Sequence, residues 1–394
     1  MSLSVSPRMA RVRPSPTGAV LALTAKLRAQ GRNIISLGAG EPDFDTPQYI
    51  KDAAVQAIAD GQTKYTPIDG TAELKAAIQA KFARDNGLQY EISQIVATSG
   101  GKQALYNLCI ALLGPGDEVI IPAPYWVSYP DMVLLAEAEP VIVETGIEQN
   151  FKVTSAQLAG VLNDKTRLLV LNSPSNPTGA SYTRAELQAL GEVLEGYPRV
   201  VVVADDMYEH IYWADEPFVS FAAACPALFD RTVTTNGVSK AYAMTGWRIG
   251  FAAGPIEIIT AMATVQSQST SNPCSVSQAA AVAALNGELT IVAEMCSAYR
   301  ERHDYVVPAL NEIPGFECRP GEGTFYAFPR VMGALEALGF STDAELTEML
   351  INEANVACVP GSAFGAPGYL RISFASSMDE LQEAIDRIKR VLSA

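Results

Sequence analysis

The feature that most constrains the fold is a series of short Val/Ile/Leu runs, each separated from the next by other patterns. Helical periodicity occurs between them, as at 184–194, and the runs themselves lie at 95–98, 118–121, 141–144, 167–171 and 200–204. Near-continuous apolar runs are typical of parallel strands that are covered on both faces. We therefore predict an α/β fold, in which a large domain has a mostly parallel sheet with helices on both faces.

The pattern changes towards both ends of the chain. After about residue 300, a long segment with helical periodicity is followed by shorter strand-like segments, at 315–329, 352–360 and 369–375. Residues 1–45 are rich in turn-forming residues and hold one short strand. We predict that residues 46–300 form the large domain. Residues 1–45 and 301–394 are predicted to form a smaller α+β domain, built from both chain ends.

Two helix starts can be predicted from local signals. Thr46 is expected to cap the helix that begins at Pro47, since threonine is a good N-cap and proline is favoured at the first helical position. Ser377 and Glu380 have the spacing of a capping box before the last amphipathic helix.

Composition excludes several classes of function. The 394 residues are 48% apolar and 18% charged, as in a globular protein, and carry a formal charge of −15. Such acidity disfavours nucleic acids and anionic membrane surfaces as partners. No apolar run approaches the ~18 residues of a membrane span, and the first residues lack the apolar core of a signal peptide. Six scattered cysteines without C-x-x-C predict reduced thiols in a cytoplasmic protein, and two histidines are too few for a zinc site, so no metal is expected.

The polar segment after the β-rich run at 232–235 contains Lys240, which lies among small residues instead of charged ones. An isolated lysine is most often an exposed loop residue. A confined lysine, however, can lose its proton and attack a carbonyl carbon. At an ordinary pKa near 10.4, only about 1 in 2500 amines is neutral at pH 7, so we expect burial and cations such as Arg248 to lower this pKa.

Polar groups of other kinds follow the other predicted strands. They are relevant because the ligand of an open parallel sheet binds at the carboxyl ends of its strands. Asp205 could hold a protonated ring nitrogen, Tyr208 and Asn176 could donate to a phenolate oxygen, and Trp126 could stack on a planar ring. Phosphate could be held by Gly100, Gly101 and Arg248, although a Gly-Gly turn alone is more often only a turn. One ligand requires all of these groups together with the lysine, namely pyridoxal 5′-phosphate (PLP).

The chain resembles the fold-type-I, PLP-dependent aminotransferases of class I, and is most similar to the bacterial aspartate aminotransferase subgroup. The resemblance covers essentially the whole chain. It rests on eight segments that follow one another in order: Gly-Ala-Gly-Glu-Pro-Asp-Phe at 38–44, Lys-Tyr-Thr-Pro at 64–67, Ser-Gly-Gly-Lys-Gln-Ala at 99–104, Pro-Tyr-Trp-Val-Ser-Tyr at 124–129, 172–179, 205–210, the lysine motif at 237–250, and Tyr-Leu-Arg-Ile-Ser at 369–373.

The resemblance implies catalytic roles for Lys240, as the covalent anchor of PLP and proton shuttle, for Asp205, as partner of the ring nitrogen, and for Tyr208. It also implies a set of cofactor-binding residues: Gly100, Gly101, Lys102, Trp126, Asn176, Asp205, Tyr208, Ser239, Lys240, Arg248 and, from the neighbouring subunit of a homodimer, Tyr65. The Asn176–Pro177 bond is often cis in the family. A serine that binds phosphate in part of the class is replaced here by Gly237, and Ser239 or Thr235 could supply the hydroxyl instead.

For the substrate, the resemblance implies that Arg371 clamps the α-carboxylate, with the backbone of Gly40 closing over it and with Trp126 and Asn176 alongside. The distal carboxylate of aspartate or glutamate is expected to meet Lys102 and an N-terminal segment with Arg13, Ser15 and Thr17. The expected reaction is ping-pong transamination between a dicarboxylic amino acid and a 2-oxo acid such as 2-oxoglutarate or oxaloacetate. Prephenate amination is the alternative main or second activity, since Arg13 and Thr17 match positions associated with it.

Three rival interpretations remain. The same cofactor could serve β-elimination or decarboxylation instead of transamination. A PLP-dependent regulator would carry a DNA-binding extension and a basic patch, which the sequence lacks. A nicotinamide dehydrogenase is disfavoured because the Gly-x-Gly at 38–40 lacks a third glycine and is followed by Pro42. His210 is expected to pack or bond locally, and Asp206 to be a solvated or structural neighbour of Asp205.

Overall fold

The computed structural model describes residues 5–393. Its strands are β1 Ile35–Ser36, β2 Ile95–Thr98, β3 Glu118–Ala123, β4 Glu139–Glu144, β5 Thr166–Asn172, β6 Val201–Asp205, β7 Thr232–Gly237, β8 Gly250–Ala253, β9 Tyr326–Ala327, β10 Val356–Ala357, β11 Val359–Pro360 and β12 Leu370–Ser373. Each strand-like run that the sequence analysis singled out between 95 and 204 overlaps a strand of this set.

Helices occupy most of the intervening chain. They are α1 Pro16–Ala29, α2 Gln48–Ala59, α3 Ala72–Asn86, α4 Gly101–Leu112, α5 Tyr129–Leu135, α6 Ser155–Val161, α7 Arg184–Glu195, α8 Phe221–Ala224, α9 Ile256–Ser267, α10 Ser275–Asn286, α11 Thr290–Asn311, α12 Met332–Leu338, α13 Asp343–Met349 and α14 Met378–Leu392. Short 3₁₀ turns include Thr245–Trp247, just after the lysine segment.

The central sheet has seven strands in the order β2-β8-β7-β6-β5-β3-β4. All neighbouring strands are parallel except at β8, which runs antiparallel to both β2 and β7. The predicted α/β class with a mostly parallel sheet is therefore confirmed. The carboxyl ends of β3, β5, β6 and β7 share one edge of the sheet, which is where ligands of such sheets bind.

The central strands β5 and β6 are largely buried on both faces, which explains their near-continuous apolar runs. Along β6, Val201 and Val203 pack into one core with residues of α4, α5 and α9. Val202 and Ala204, which alternate with them, pack into another core with residues of α6 and α7. Because successive side chains of a strand point to opposite faces, a strand covered on both sides is expected to be mostly apolar. The Thr-rich β7 departs from this pattern although its residues are buried.

Two smaller sheets connect the chain ends. In one, β1 pairs in parallel with β10, and in the other, β12 lies antiparallel between β11 and β9. Their residues share a core with α11 and α14, in which Leu381, Ala384, Ile385 and Ile388 are buried. These contacts bring the N-terminal strand against residues beyond 300. The domain boundaries themselves stay a prediction.

Both predicted helix starts need correction. The hydroxyl of Thr46 does not cap α2, because it donates to the carbonyl oxygen of Ala243 at 2.6 Å. Ser377 does cap α14 by accepting from the backbone N–H of Glu380. The reciprocal half of the capping box is missing, since the Glu380 carboxylate accepts from the hydroxyl of Ser376 instead.

Within residues 5–393, no single helix combines the length and apolar composition needed to cross a membrane. Helices α10 and α11 reach that length and composition only when taken together, and an 82° bend separates them.

Candidate active site

A cavity of about 360 Å³ lies at the carboxyl ends of the central strands. Its volume falls in the range of about 300–1,000 Å³ that is usual for small-molecule sites. The predicted site residues that line it are Thr17, Gly40, Gly101, Lys102, Trp126, Asn176, Asp205, Tyr208, Ser239, Lys240, Arg248 and Arg371. They come from distant parts of the sequence and meet because successive strands end at the same edge of the sheet.

Lys240 follows β7 and reaches into this cavity, where its amine donates to the carbonyl oxygen of Gly40. Burial lowers the pKa of Lys240 to about 8, and the positive charges of Arg371 and Arg248 act in the same direction. The expected lowering is thus present, but burial contributes more than Arg248 does. At this pKa about one amine in ten is neutral at pH 7.

Asp205 ends β6 and is only 6% exposed. Burial raises its pKa to about 6, although the phenol of Tyr129 donates to Oδ2 at 2.6 Å and opposes the shift. Among residues 5–393, the other oxygen, Oδ1, accepts only one long bond of 3.4 Å, from the backbone N–H of Met207. Since a carboxylate can accept several hydrogen bonds, Oδ1 keeps the capacity to accept from a ligand.

Arg371 on β12 is 2% exposed, so the arginine expected on this strand lies in the interior. Its guanidinium donates to the side-chain oxygen of Asn176 at 3.0 Å and to the carbonyl of Gly38 at 2.9 Å. It lies over the ring faces of Tyr326 and Phe364, at 4.4 and 5.0 Å from their centroids. Within residues 5–393, its Nε has no hydrogen-bond partner. A buried cation of this kind is prepared to bind an anion.

The opposite end of the cavity suits a second anion, because α4 begins there at Gly101. Gly100 has φ +87°, and a Cβ atom at this position would overlap the guanidinium of Arg248. That guanidinium is held by the carbonyl of Thr245 at 2.8 Å. Gly100 itself does not line the cavity. Its lack of a side chain lets the arginine approach the helix N-terminus.

The candidate hydroxyls near this end differ in position. Ser239 lines the cavity, whereas the hydroxyl of Thr235 is buried in β7 and bonds back to the carbonyl of Ala204. A Cβ atom on Gly237 would lie 3.0 Å from the carbonyl oxygen of Ile249 and 3.1 Å from Cα of Gly250. The close approach of β8 therefore explains the glycine, and Ser239 is the better candidate for the missing hydroxyl.

The remaining predicted groups surround the middle of the cavity. Tyr208 places its hydroxyl 2.9 Å from that of Tyr326, and Asn176 precedes a cis proline, as in the family. The ammonium group of Lys102 lies 4.8 Å from the ring of Trp126. Burial, followed by the charge of Arg248, lowers the pKa of Lys102.

Some predicted site residues lie outside the cavity. Tyr65 is 92% exposed on the surface, as a residue that serves another subunit would be. The hydroxyl of Ser15 accepts from Gly18 at the start of α1 and bonds to Thr17, which does line the cavity. Arg13 contacts Asp131 through its backbone N–H at 3.5 Å.

The sequence analysis did not assign roles to Tyr129 or Tyr326, both of which line the cavity. A signal was present for Tyr129, since it follows Trp126 by three residues in a polar segment after a strand. Tyr326 lies in an apolar segment with no such signal.

Asp206 is not solvated but 3% exposed, and burial raises its pKa well above the ordinary value. Within residues 5–393, Nε2 of His210 lies 3.3 Å from a carboxylate oxygen of Asp85 on α3 but has no hydrogen-bond partner.

Comparison with known proteins places this site in a family. The model of the family "Aminotransferase class I and II" matches residues 32–388. An aspartate/prephenate aminotransferase of Nitrosomonas europaea is 54% identical over 99% of this chain and 100% of that protein, and one of Cereibacter sphaeroides is 53% identical over 98% of each. The chain therefore belongs to the class I and II aminotransferases.

Solved structures agree with this assignment. The aspartate aminotransferase of Rhizobium meliloti superposes with a TM-score of 0.95 at 47% identity, covering 100% of this chain and 99% of that one. The Thermus thermophilus aspartate aminotransferase with maleate gives a TM-score of 0.93 at 41% identity, over 99% of this chain and 100% of that one. The resemblance inferred from sequence motifs is confirmed.

Proposed function

We propose that the protein transfers an amino group between a dicarboxylic amino acid, aspartate or glutamate, and a 2-oxo acid such as 2-oxoglutarate or oxaloacetate, with PLP as cofactor. The observation that carries the proposal is the amine of Lys240, whose pKa is lowered to about 8 in the cavity that also holds Asp205 and Arg371. The names of the relatives, aspartate and aspartate/prephenate aminotransferase, support this choice of substrates.

The groups in the cavity fit PLP. Oδ1 of Asp205 is available for the ring nitrogen, Tyr208 and Asn176 for the ring oxygen, and Trp126 for the ring face. The N-terminus of α4, Ser239 and Arg248 would hold the phosphate. When bound, PLP supplies an electrophilic carbon and a ring that withdraws electrons from the substrate.

The side chains of this protein would then divide the work. Arg371 binds the α-carboxylate as a bidentate fork and fixes the orientation of the substrate. The amine of Lys240 would take the proton from the substrate Cα, as a general base whose pKa of about 8 lies close to neutral pH. Asp205 in its ionised form favours a protonated ring nitrogen, which its Tyr129 contact supports.

The same arrangement supports recognition of a second carboxylate. Lys102 and Thr17 lie at the cavity, where an ammonium group and a hydroxyl can bind the distal carboxylate of aspartate or glutamate. Prephenate also carries two carboxylates, and its amination is a second candidate activity because relatives at 53–54% identity bear that name. Arg13 would have to move towards the cavity to contribute.

We further propose a homodimer, in which Tyr65 reaches the phosphate site of the neighbouring subunit. The exposure of this large aromatic side chain supports the assignment, since an interface would cover it. A cytoplasmic location belongs to the same proposal and is supported by six cysteines that are all free thiols.

Replacement of the lysine tests the proposal. Wild-type protein saturated with PLP should be yellow and transfer the amino group of aspartate to 2-oxoglutarate. The Lys240→Ala variant should lose the absorbance of the covalently bound cofactor and at least about 10³-fold in rate. Lys165→Ala changes a lysine that is 70% exposed and serves as the control. A colourless wild type, or one that eliminates or decarboxylates without amino transfer, would contradict the proposal.

A further inference from the structure

Tyr326 on β9 touches two functional groups of the cavity with two different parts of its side chain. Its hydroxyl oxygen lies 2.9 Å from that of Tyr208. Its ring face lies 4.4 Å from the guanidinium of Arg371. The residue is 1% exposed, and a Cβ atom on Gly40 would lie 3.3 Å from its hydroxyl. A side chain at position 40 would therefore crowd the hydroxyl of Tyr326.

We propose that Tyr326 is a positioning residue with two separable roles in the proposed transamination. Its hydroxyl orients the phenol of Tyr208 towards the ring oxygen of the cofactor. Its ring supports the guanidinium of Arg371 in the orientation that receives the α-carboxylate. The inference rests on the proposed function, because it deepens the roles assigned there to Tyr208 and Arg371.

The hydroxyl role follows from the small number of protons that the two phenols share. A phenol has one proton to donate and can accept through its oxygen. If Tyr208 donates to the cofactor, the contact with Tyr326 can persist only when Tyr326 donates to the oxygen of Tyr208. Hydrogen bonds in such a chain polarise one another, so Tyr208 becomes a stronger donor.

The charged and titratable groups around Tyr208 come from several elements. Arg371 approaches from β12, Tyr129 from α5, Asp205 from the end of β6 and Lys240 from the segment after β7. None of these four side chains makes a hydrogen bond to the hydroxyl of Tyr208. Within the described residues, only Tyr326 does. Removing the hydroxyl of Tyr326 therefore changes the hydrogen bonding of Tyr208 without removing a charge.

The ring role follows from the surroundings of Arg371. Its guanidinium is buried among uncharged acceptors and two aromatic faces, those of Tyr326 and Phe364. Aromatic faces attract a guanidinium group and stack on its plane, which fixes the plane in which its donors point. Phe364 presents a second aromatic face to the same group, at 5.0 Å, so the chain provides its own comparison.

Two conservative variants separate the roles. Tyr326→Phe keeps the ring and removes the hydroxyl, whereas Phe364→Leu removes one aromatic face and leaves the hydroxyl. Each is loaded with PLP, and two properties are measured: the pH midpoint of the visible absorbance, and the dissociation constant of succinate, an unreactive dicarboxylate. Tyr182→Phe is the control, since Tyr182 is buried, accepts one backbone hydrogen bond and lies outside this cavity.

Tyr326→Phe should raise the absorbance midpoint by about one pH unit, the effect of one weakened hydrogen bond. The reason is that the ring oxygen of the cofactor carries more negative charge when its hydrogen bond from Tyr208 is weaker. The proton that it shares with the nitrogen of Lys240 is then retained to higher pH. Its succinate affinity should change less than about twofold. Phe364→Leu should weaken succinate about five- to tenfold, as expected for a buried cation–π contact, and leave the midpoint unchanged.

Either expectation can fail on its own. A midpoint in Tyr326→Phe equal to that of Tyr182→Phe would overturn the hydroxyl role. Unchanged succinate affinity in Tyr326→Leu would overturn the ring role of Tyr326, whatever the result for Phe364→Leu. Both outcomes presuppose a yellow wild type that binds succinate. A colourless wild type would instead overturn the proposed function, so the two failures are distinguishable.

Discussion

Two buried groups of polar and charged residues lie on the same chain segments in this protein. In one group the charges are paired, and in the other they are not. The first, which we call the ion cluster, comprises Lys81, Asp85, Asn86, Glu209 and Asn236. The side chains of Lys81 and Glu209 are 2% and 3% exposed and form a direct ion pair. Both oxygens of Glu209 also accept from asparagines, at 2.6 Å from Asn86 and 2.8 Å from Asn236.

The second group is the cavity, where Lys240, Asp205 and Arg371 have no ion-pair partner within 4.0 Å among residues 5–393. The pKa values show the difference. Burial raises the pKa of Asp205 to about 6, whereas Lys81 and His210 hold the pKa of Glu209 below its ordinary value despite equal burial. Removing one partner of a compensated buried pair leaves a costly unpaired charge, whereas charges that are already uncompensated are available to a ligand.

The two groups share the segments that carry them. Glu209 lies four residues after Asp205, and the side chain of Asn236 accepts from the backbone N–H of Gly237, three residues before Lys240. The ion cluster therefore fixes the two strand ends from which the catalytic candidates project. We infer that the rigid ion cluster, whose charges are paired, allows the cavity to keep its own charges unpaired.

The largest expected effect comes from the uncompensated cation that binds substrate. Arg371→Leu should lower kcat/KM for every amino acid by about 10²–10⁴, the loss of a bidentate contact to a charged group.

Lys102→Ala should lower kcat/KM about tenfold, and only for aspartate, glutamate and prephenate, because phenylalanine has no distal carboxylate. Steady-state kinetics with these four amino-group donors and acceptors would measure both patterns. Equal losses for all substrates in both variants would contradict the division of roles.

The ion cluster should respond through stability instead. Lys81→Met leaves the buried Glu209 without its cation and should lower the free energy of unfolding by about 3–5 kcal/mol. Lys389→Met removes an ion pair whose side chains are 31% and 69% exposed and should cost less than about 1 kcal/mol. Urea unfolding of both variants measures the contrast. Similar costs at the two sites would show that the buried pair adds nothing beyond a surface pair.

The sequence predicts the parts of this comparison that depend on local pattern. Most of the parallel strands are visible as apolar runs, and Asp205 is recognisable because it ends such a run. Lys240 is recognisable because it lies among small residues after the β-rich run at 232–235. The ion cluster is not visible, since Lys81 lies on an amphipathic helix where a lysine normally faces solvent. The contacts of Tyr129 and Tyr326 are equally hidden, because both depend on how α5 and β9 pack against distant residues.

Asp205→Asn should give the sharpest contrast, because it removes an uncompensated charge. In the protein without PLP, the pKa of Asp205 is about 6 when folded and 3.8 ordinarily, a difference of about two units. A raised pKa means that the folded state binds the proton more tightly, so stability falls as pH rises from about 4 to 6 and stays reduced above that. At 1.36 kcal/mol per unit, Asp205→Asn should stabilise the PLP-free protein by up to about 2–3 kcal/mol at pH 7–8.

This gain should vanish near pH 4, where the wild-type carboxyl is already protonated in both states. With PLP the order should reverse, because the wild type gains an ionised partner for the ring nitrogen and the variant does not. Thermal unfolding at pH 4.5 and 7.5, with and without PLP, measures all four combinations. A variant that is less stable than wild type without PLP at pH 7.5 would mean that the charge of Asp205 is compensated after all, and the distinction between cavity and ion cluster would fail at this residue.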